Sequence, residues 1–95
     1  MADKIVETCD HVADGDTLST EKNVWLRLAR YDAPDKEKTD HTEAYVEAFR
    51  LLSSLVLNKV IEYQQVGTTD RRIIAEVWQN GKNISDAMLQ SGHKK

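Results

Sequence analysis

Two neighbouring stretches carry the fold: Val12-Ala13-Asp14-Gly15-Asp16-Thr17-Leu18 and, after a short gap, Trp25-Leu26-Arg27-Leu28-Ala29-Arg30. Asp14-Gly15 is a hairpin-type turn signal between Val12 and Leu18. Trp25 to Arg30 alternates, with Leu26 and Leu28 on one face and Arg27 and Ala29 on the other. That period of two belongs to a strand with one buried side. Ile5 and Val6 upstream, and Val24 after a second candidate turn at Glu21-Lys22-Asn23, extend the strand-like reading over the first third of the chain. Pro34 biases Ala33 towards an extended conformation and stops the last of these strands.

Beyond Pro34 the segment Asp35 to Asp40 reads as a charged loop. Asp40 followed by Glu43 resembles a capping box and opens a helix. Tyr45, Ala48, Phe49, Leu52, Leu55 and Val56 recur at helical spacing down to about Asn58. Val60 to Val66 is strand-like, with Ile61 and Tyr63 on one face; Gly67 to Asp70 is expected to turn the chain, and Ile73 to Trp78 to form the next strand. Asn80-Gly81 signals another turn. Asn83 then caps a short helix, Ile84 to Ser91, closed by Gly92. Three strands, a helix, two strands and a helix predict a mainly β, α+β domain. The five-stranded OB-fold barrel fits that order, with one helix inserted between strands 3 and 4 and a short C-terminal helix.

Ninety-five residues suffice for a single domain with one modest core. At 40% hydrophobic and 31% charged, the composition is neither that of a disordered tail nor that of a membrane protein. The longest apolar run, Leu51 to Leu57, is interrupted by Ser53 and Ser54, so no spanning helix is expected. Thirteen basic against sixteen acidic residues leave a net charge of −3. This disfavours a nonspecific electrostatic binder of nucleic acid, which works through excess Lys and Arg. Any phosphate chemistry here needs local arginines or a metal. A single cysteine, Cys9, excludes an internal disulfide framework and a four-thiolate zinc site, and no disulfide-linked partner is expected. The start lacks an apolar signal-peptide core, so a cytoplasmic setting is favoured, and a monomer is expected.

Asp14-Gly15-Asp16-Thr17 places two carboxylates two residues apart on a tight turn, where their oxygens can face a hard cation such as Ca²⁺ or Mg²⁺. Taken alone, the element is an ordinary Asp-Gly turn. Asp32-Ala33-Pro34-Asp35, taken alone, is a strand-ending turn, and Arg27, five residues before Asp32 on the same strand, a solvated surface residue. Cys9 and His11 could begin a zinc site with His41 and His93, but a strand cysteine and a surface histidine are the plainer reading. Trp25 and Trp78 could stack bases on an OB surface, against the blander reading of packing. Glu47 and Arg50 form a helix pair on a solvated face. No nucleophile elbow or glycine-rich phosphate loop is present.

Taken together, Val12 to Leu18, Trp25 to Leu28 and Asp32 to Asp35 resemble the staphylococcal nuclease (thermonuclease) family. The likeness continues through the inserted helix to Asp70-Arg71-Arg72-Ile73-Ile74-Ala75 and to the stretch from Asn80 to Leu89. The resemblance implies an OB barrel that cleaves DNA and RNA in a Ca²⁺-dependent reaction, with water displacing the 5′-oxygen at phosphorus to leave 3′-phosphate ends. It implies Asp16 and Asp32 as metal carboxylates, the backbone carbonyl of Ala33 as a further ligand, and Asp14 as a turn residue. Arg27 and Arg72 stand where the family places the two arginines that stabilise the phosphoryl transition state, Arg72 being preferred to its neighbour Arg71. Asp35 falls at the family's general-base glutamate.

Three departures accompany the likeness. Asp35 is one methylene shorter than glutamate, the arginine loop is clipped and lacks a nucleotide-contacting tyrosine, and the family's final helix does not follow Gly92-His93-Lys94-Lys95. The expectation is therefore a single nuclease-like domain over residues 1–95, shortened at its C-terminal end. Its function is expected to be that of a Ca²⁺-dependent nuclease on DNA or RNA. The alternative is a weak or inactive nuclease-like module that binds nucleic acid or protein.

Overall fold

A computed structural model describes residues 4–33, 42–69 and 72–92. Strands β1 (Ile5–Asp14), β2 (Thr17–Thr20) and β3 (Trp25–Leu28) precede helix α1 (Thr42–Val56). Strands β4 (Val60–Thr69), β5 (Arg72–Gln79) and β6 (Lys82–Asn83) then lead to helix α2 (Ile84–Ser91). The sheet order is β3-β2-β1-β4-β5-β6, and β3 also pairs in parallel with β5, Leu26 opposite Ile73 and Leu28 opposite Ala75. Five strands thus bond in a ring, and the OB-like α+β expectation holds. Ring closure removes the open edges that a sheet otherwise exposes.

The inward faces follow the alternation read from the sequence. Leu18, Leu26, Leu28, Ile61, Tyr63, Ala75 and Val77 are all buried. Helix α1 adds Ala48, Leu52 and Val56, spaced four apart on one stripe, and α2 adds Ile84 and Met88. Tyr45, Phe49 and Leu55 flank the α1 stripe and are only half-buried. Beyond α1, Asn58 takes a left-handed conformation at φ 61°. Its N–H donates to the Cys9 carbonyl at 2.7 Å and the Cys9 N–H to the Lys59 carbonyl at 3.0 Å, which fastens the helix exit to β1. Asn83 caps α2 by accepting from the Asp86 N–H at 2.9 Å, and Gly92 ends it at φ 82°. Asn80 (φ 53°) and Gly81 (φ 80°) make the two-residue turn between paired Gln79 and Lys82.

Two boundaries differ from expectation. The segment Gly67–Thr69 continues β4 instead of turning, because the strand absorbs an irregularity between Gln65 and Gly67 and pairs on until Thr69 faces Arg72. Such a bulge bends a strand without ending it. Further, β3 stops at Leu28, and Arg30 at φ 66° turns the chain, so Asp32 does not share a strand with Arg27. Asp40, and the charged loop from Asp35, lie outside the described residues. No helix among the described residues is long and apolar enough to cross a membrane. Cys9 is a buried free thiol.

Gly15 sits in the β1–β2 turn, closed by the Asp14–Thr17 pair. A Cβ there would stand 2.8 Å from the Cβ atoms of both Ala33 and Ala48 and 3.3 Å from the Ala48 backbone carbon. Neither neighbour is the far end of a flexible side chain, so one of the two segments must shift to admit a methyl. Gly15→Ala should therefore destabilise the protein by about 1–3 kcal/mol, the usual scale for overpacking. Urea denaturation checks this; an unchanged midpoint contradicts the packing.

Candidate active site

The turn that holds Gly15 carries Asp16, and four contacts set its position. The Asp16 carbonyl accepts from the Leu28 N–H at 2.8 Å, tying the turn to the end of β3. Thr17 Oγ1 donates to Asp16 Oδ1 at 3.0 Å, the Ala33 N–H donates to Oδ2 at 3.2 Å, and Arg27 Nη2 lies 3.5 Å from that same Oδ2. The carboxylate is 14% exposed and met by donors on both oxygens.

Arg27 projects from the outer face of β3, opposite Thr17. Its Nη2 also donates to Asp32 Oδ1, so one guanidinium joins Asp16 to Asp32. Asp16 is enclosed, whereas Asp32 is 60% exposed and Arg27 29%. Arg72, at the start of β5, reaches the same place: its Nη1 donates to Thr17 Oγ1 at 3.3 Å. Asp16, Arg27, Asp32, Ala33 and Arg72, which the sequence marks separately, are thus gathered around one turn. Asp35 and Arg71 lie outside the described residues.

The donor set fits a hard cation. Both carboxylates already converge on one positive group, the Arg27 guanidinium, and both offer oxygen, the donor that Ca²⁺ and Mg²⁺ prefer. Among the described residues no cluster of three or more His, Cys, Asp or Glu side chains gathers. A cation here would complete its shell from backbone oxygens, water or substrate.

Several supporting residues escaped the sequence reading. Tyr45 of α1 donates its hydroxyl to Asp14 Oδ1 at 3.2 Å and so holds the turn from the helix side. Burial first, then the Asp14 charge and this hydrogen bond, push the Tyr45 hydroxyl pKa up. Tyr31 is buried between Arg30 and Asp32, and burial, followed by the Asp16 charge, pushes its hydroxyl up to about 12. Thr17 is the bridge to Arg72. Only the Asp-x-Asp-Thr spacing hinted at it.

Arg30 anchors the segment that carries Asp32. Its Nε and Nη2 donate to the two oxygens of Glu76 at 2.7 and 2.9 Å, its Nη1 to Asp86 at 3.0 Å, and its Nη2 also to Asn83 at 3.3 Å. Asn83 Nδ2 donates to Glu76 as well, at 3.1 Å. A bidentate guanidinium–carboxylate pair fixes orientation as well as distance. It holds the left-handed bend at Arg30 against β5 and the start of α2.

The zinc reading of Cys9 and His11 finds no support in the geometry. The thiol donates inward to the His11 carbonyl at 3.5 Å, and burial pushes it up to about 11, while the His11 ring packs on Trp25.

The sequence model of the family described as staphylococcal nuclease homologue matches residues 25–94. No curated protein matches the chain. The match takes in β3, both helices and the Arg72 strand, and begins after the Asp14–Thr17 turn.

Arg30 hydrogen bonding holds the Glu76 carboxyl below its ordinary pKa of about 4.5. Its charged form therefore contributes stability above pH 4.5, and that contribution disappears as pH falls through the lowered value. Glu76→Gln should melt several degrees below wild type at pH 7, with the gap closing as pH falls below 4.5 and through the lowered value. Thermal melts across that range provide the test; a gap independent of pH excludes the ionic contribution.

Proposed function

Because the chain belongs to the staphylococcal nuclease homologue family, we propose that it is a Ca²⁺-dependent nuclease that hydrolyses phosphodiester bonds of DNA or RNA. The observation that carries this reading is the convergence of two carboxylates and two arginines, from the β1–β2 turn, β3, the segment after it and β5, around Thr17. Residues 1–95 act in this reading as one nuclease-like domain.

Asp16, Asp32 and the backbone carbonyl of Ala33 would hold the cation. When bound, Ca²⁺ supplies Lewis-acid polarisation of a phosphoryl oxygen. Arg27 and Arg72 present fixed N–H donors that stay charged at any working pH. Donors of this kind stabilise the negative charge that grows on the phosphoryl oxygens in the transition state. They also offset locally the negative charge of a chain whose net charge is −3. Arg27 is held by the same two carboxylates that would hold the cation. Asp35 takes the proton from the attacking water. Its reach is one methylene shorter than glutamate's, and errors of about 1 Å at such a position cost ~10²-fold in rate.

Three outcomes follow. Ca²⁺ should perturb the amide resonances of the Asp16 turn in wild type and leave them unmoved in Asp16→Ala/Asp32→Ala; equal shifts in both proteins place the cation elsewhere. Under single-turnover conditions at saturating Ca²⁺, Asp35→Ala should cut DNA more slowly by ~10²-fold or more, and Asp35→Glu should equal or exceed wild type. Equal rates for wild type and Asp35→Ala remove Asp35 from the mechanism. Arg72→Ala should cost ~10²–10³-fold, the scale of one lost transition-state donor. Failure of every variant and of wild type to cleave, with oligonucleotide binding intact, assigns the chain to the non-catalytic binding modules.

A further inference from the structure

Trp25 is the one large aromatic that the fold leaves on the outer surface of the strand bearing Arg27, and it is 39% exposed. Its position follows from the alternation. Leu26 and Leu28 fill the core, so Trp25 and Arg27 share the outer face, two residues and about 7 Å apart along β3. Ser19 pairs with both Trp25 on β3 and His11 on β1. Its small side chain is buried beneath, and the exposed His11 ring meets the Trp25 ring above it, centroids 5.8 Å apart at 81°. On the other flank, the parallel pairing of Leu26 with Ile73 brings Arg72 level with Trp25. The indole is thus braced at one edge by an imidazole and bordered by the two arginines of the candidate site. In OB folds the face of strands 2 and 3 with the adjoining loops is where oligonucleotides lie.

Trp78 offers no comparable surface. It is half-buried, and the Lys4 ammonium stands 4.0 Å over its ring.

The geometry points to Trp25 as a stacking platform for a nucleobase of single-stranded nucleic acid, on the nucleotide next to the one whose phosphate Arg27 and Arg72 hold. This rests on the nuclease reading for its phosphate site, but the platform itself requires only binding. Every base has a π-face, so the contact is indifferent to sequence and discriminates single strands, whose bases are free to splay, from duplex. It offers a hold on the substrate in a chain whose arginine loop lacks a nucleotide-contacting tyrosine and whose net charge is −3.

Fluorescence anisotropy in EDTA and low salt, where turnover plays no part, separates the contributions. The probes are an oligothymidylate and an abasic oligonucleotide of equal length, which keeps the phosphates and lacks the bases. Trp25→Ala should weaken oligothymidylate binding about tenfold and leave abasic binding unchanged, while Trp25→Phe, which keeps a π-face and the fold, should retain most of the affinity. In a Trp78→Phe background the remaining Trp25 fluorescence should be quenched by oligothymidylate and not by the abasic strand. Equal losses on both probes, no loss on either, unquenched fluorescence, or no binding of either probe by wild type overturns the platform. Absence of cleavage with base-dependent binding intact overturns only the nuclease reading.

Discussion

Two methyl carbons, on Ala33 and Ala48, each stand 2.8 Å from the point a side chain at Gly15 would occupy. The β1–β2 turn is pressed into the angle between the chain that follows β3 and the face of α1. From that contact the rest of the candidate site takes its geometry. The Ala33 N–H comes within hydrogen-bonding distance of Asp16, Tyr45 comes within reach of Asp14, and Asp32 is delivered to the side of Arg27 that already faces Asp16. The Ala33–Asp16 and Tyr45–Asp14 contacts span 17 and 31 positions of sequence. All depend on three segments meeting where one residue has no side chain.

Arginine plays two opposite parts on this surface. Arg30 gives four hydrogen bonds to Glu76, Asp86 and Asn83, and it serves as a fastening between the end of β3, strand β5 and α2. Arg27 shares one nitrogen between two carboxylates, one of them well exposed. Three positions apart, the same side chain is clamped by several acceptors in one place and held through a single nitrogen in the other. The difference lies in how many fixed acceptors surround it.

What the sequence made legible is what short-range chemistry controls. Asn80-Gly81, the Asn83 cap, the Gly92 stop and the alternation of Trp25 to Leu28 each rest on a few adjacent residues, and all four stand in the structure. The Gly67–Thr69 segment misled because its composition suits a turn, whereas two β-branched threonines continue a strand well once a bulge takes up the extra residue. Gly15 reads in the sequence as a turn former, but its φ is not positive and its necessity is steric, set by residues 18 and 33 positions away. The site residues themselves could be nominated only through family likeness, since two Asp turns and a strand arginine are individually commonplace. That Thr17 would meet Arg72, or Arg30 meet Glu76, depended on the ring closing in one register.

That closure has a temporal side. Two pairings in the ring join residues about fifty positions apart, β1 with β4 and β3 with β5, and the second runs in parallel, so no hairpin can nucleate it. Contacts of such sequence separation form late, because the loop entropy is spent before the pairing rewards it. Arg27 and Arg72 sit on the two strands so joined. A nascent or partly unfolded chain can hold the Asp14–Thr17 hairpin early, and with it one carboxylate, while the two guanidinium groups remain far apart. The two guanidinium groups are therefore brought together only when this seam closes, and a chain that loses the seam separates the arginine pair while its hairpins can persist.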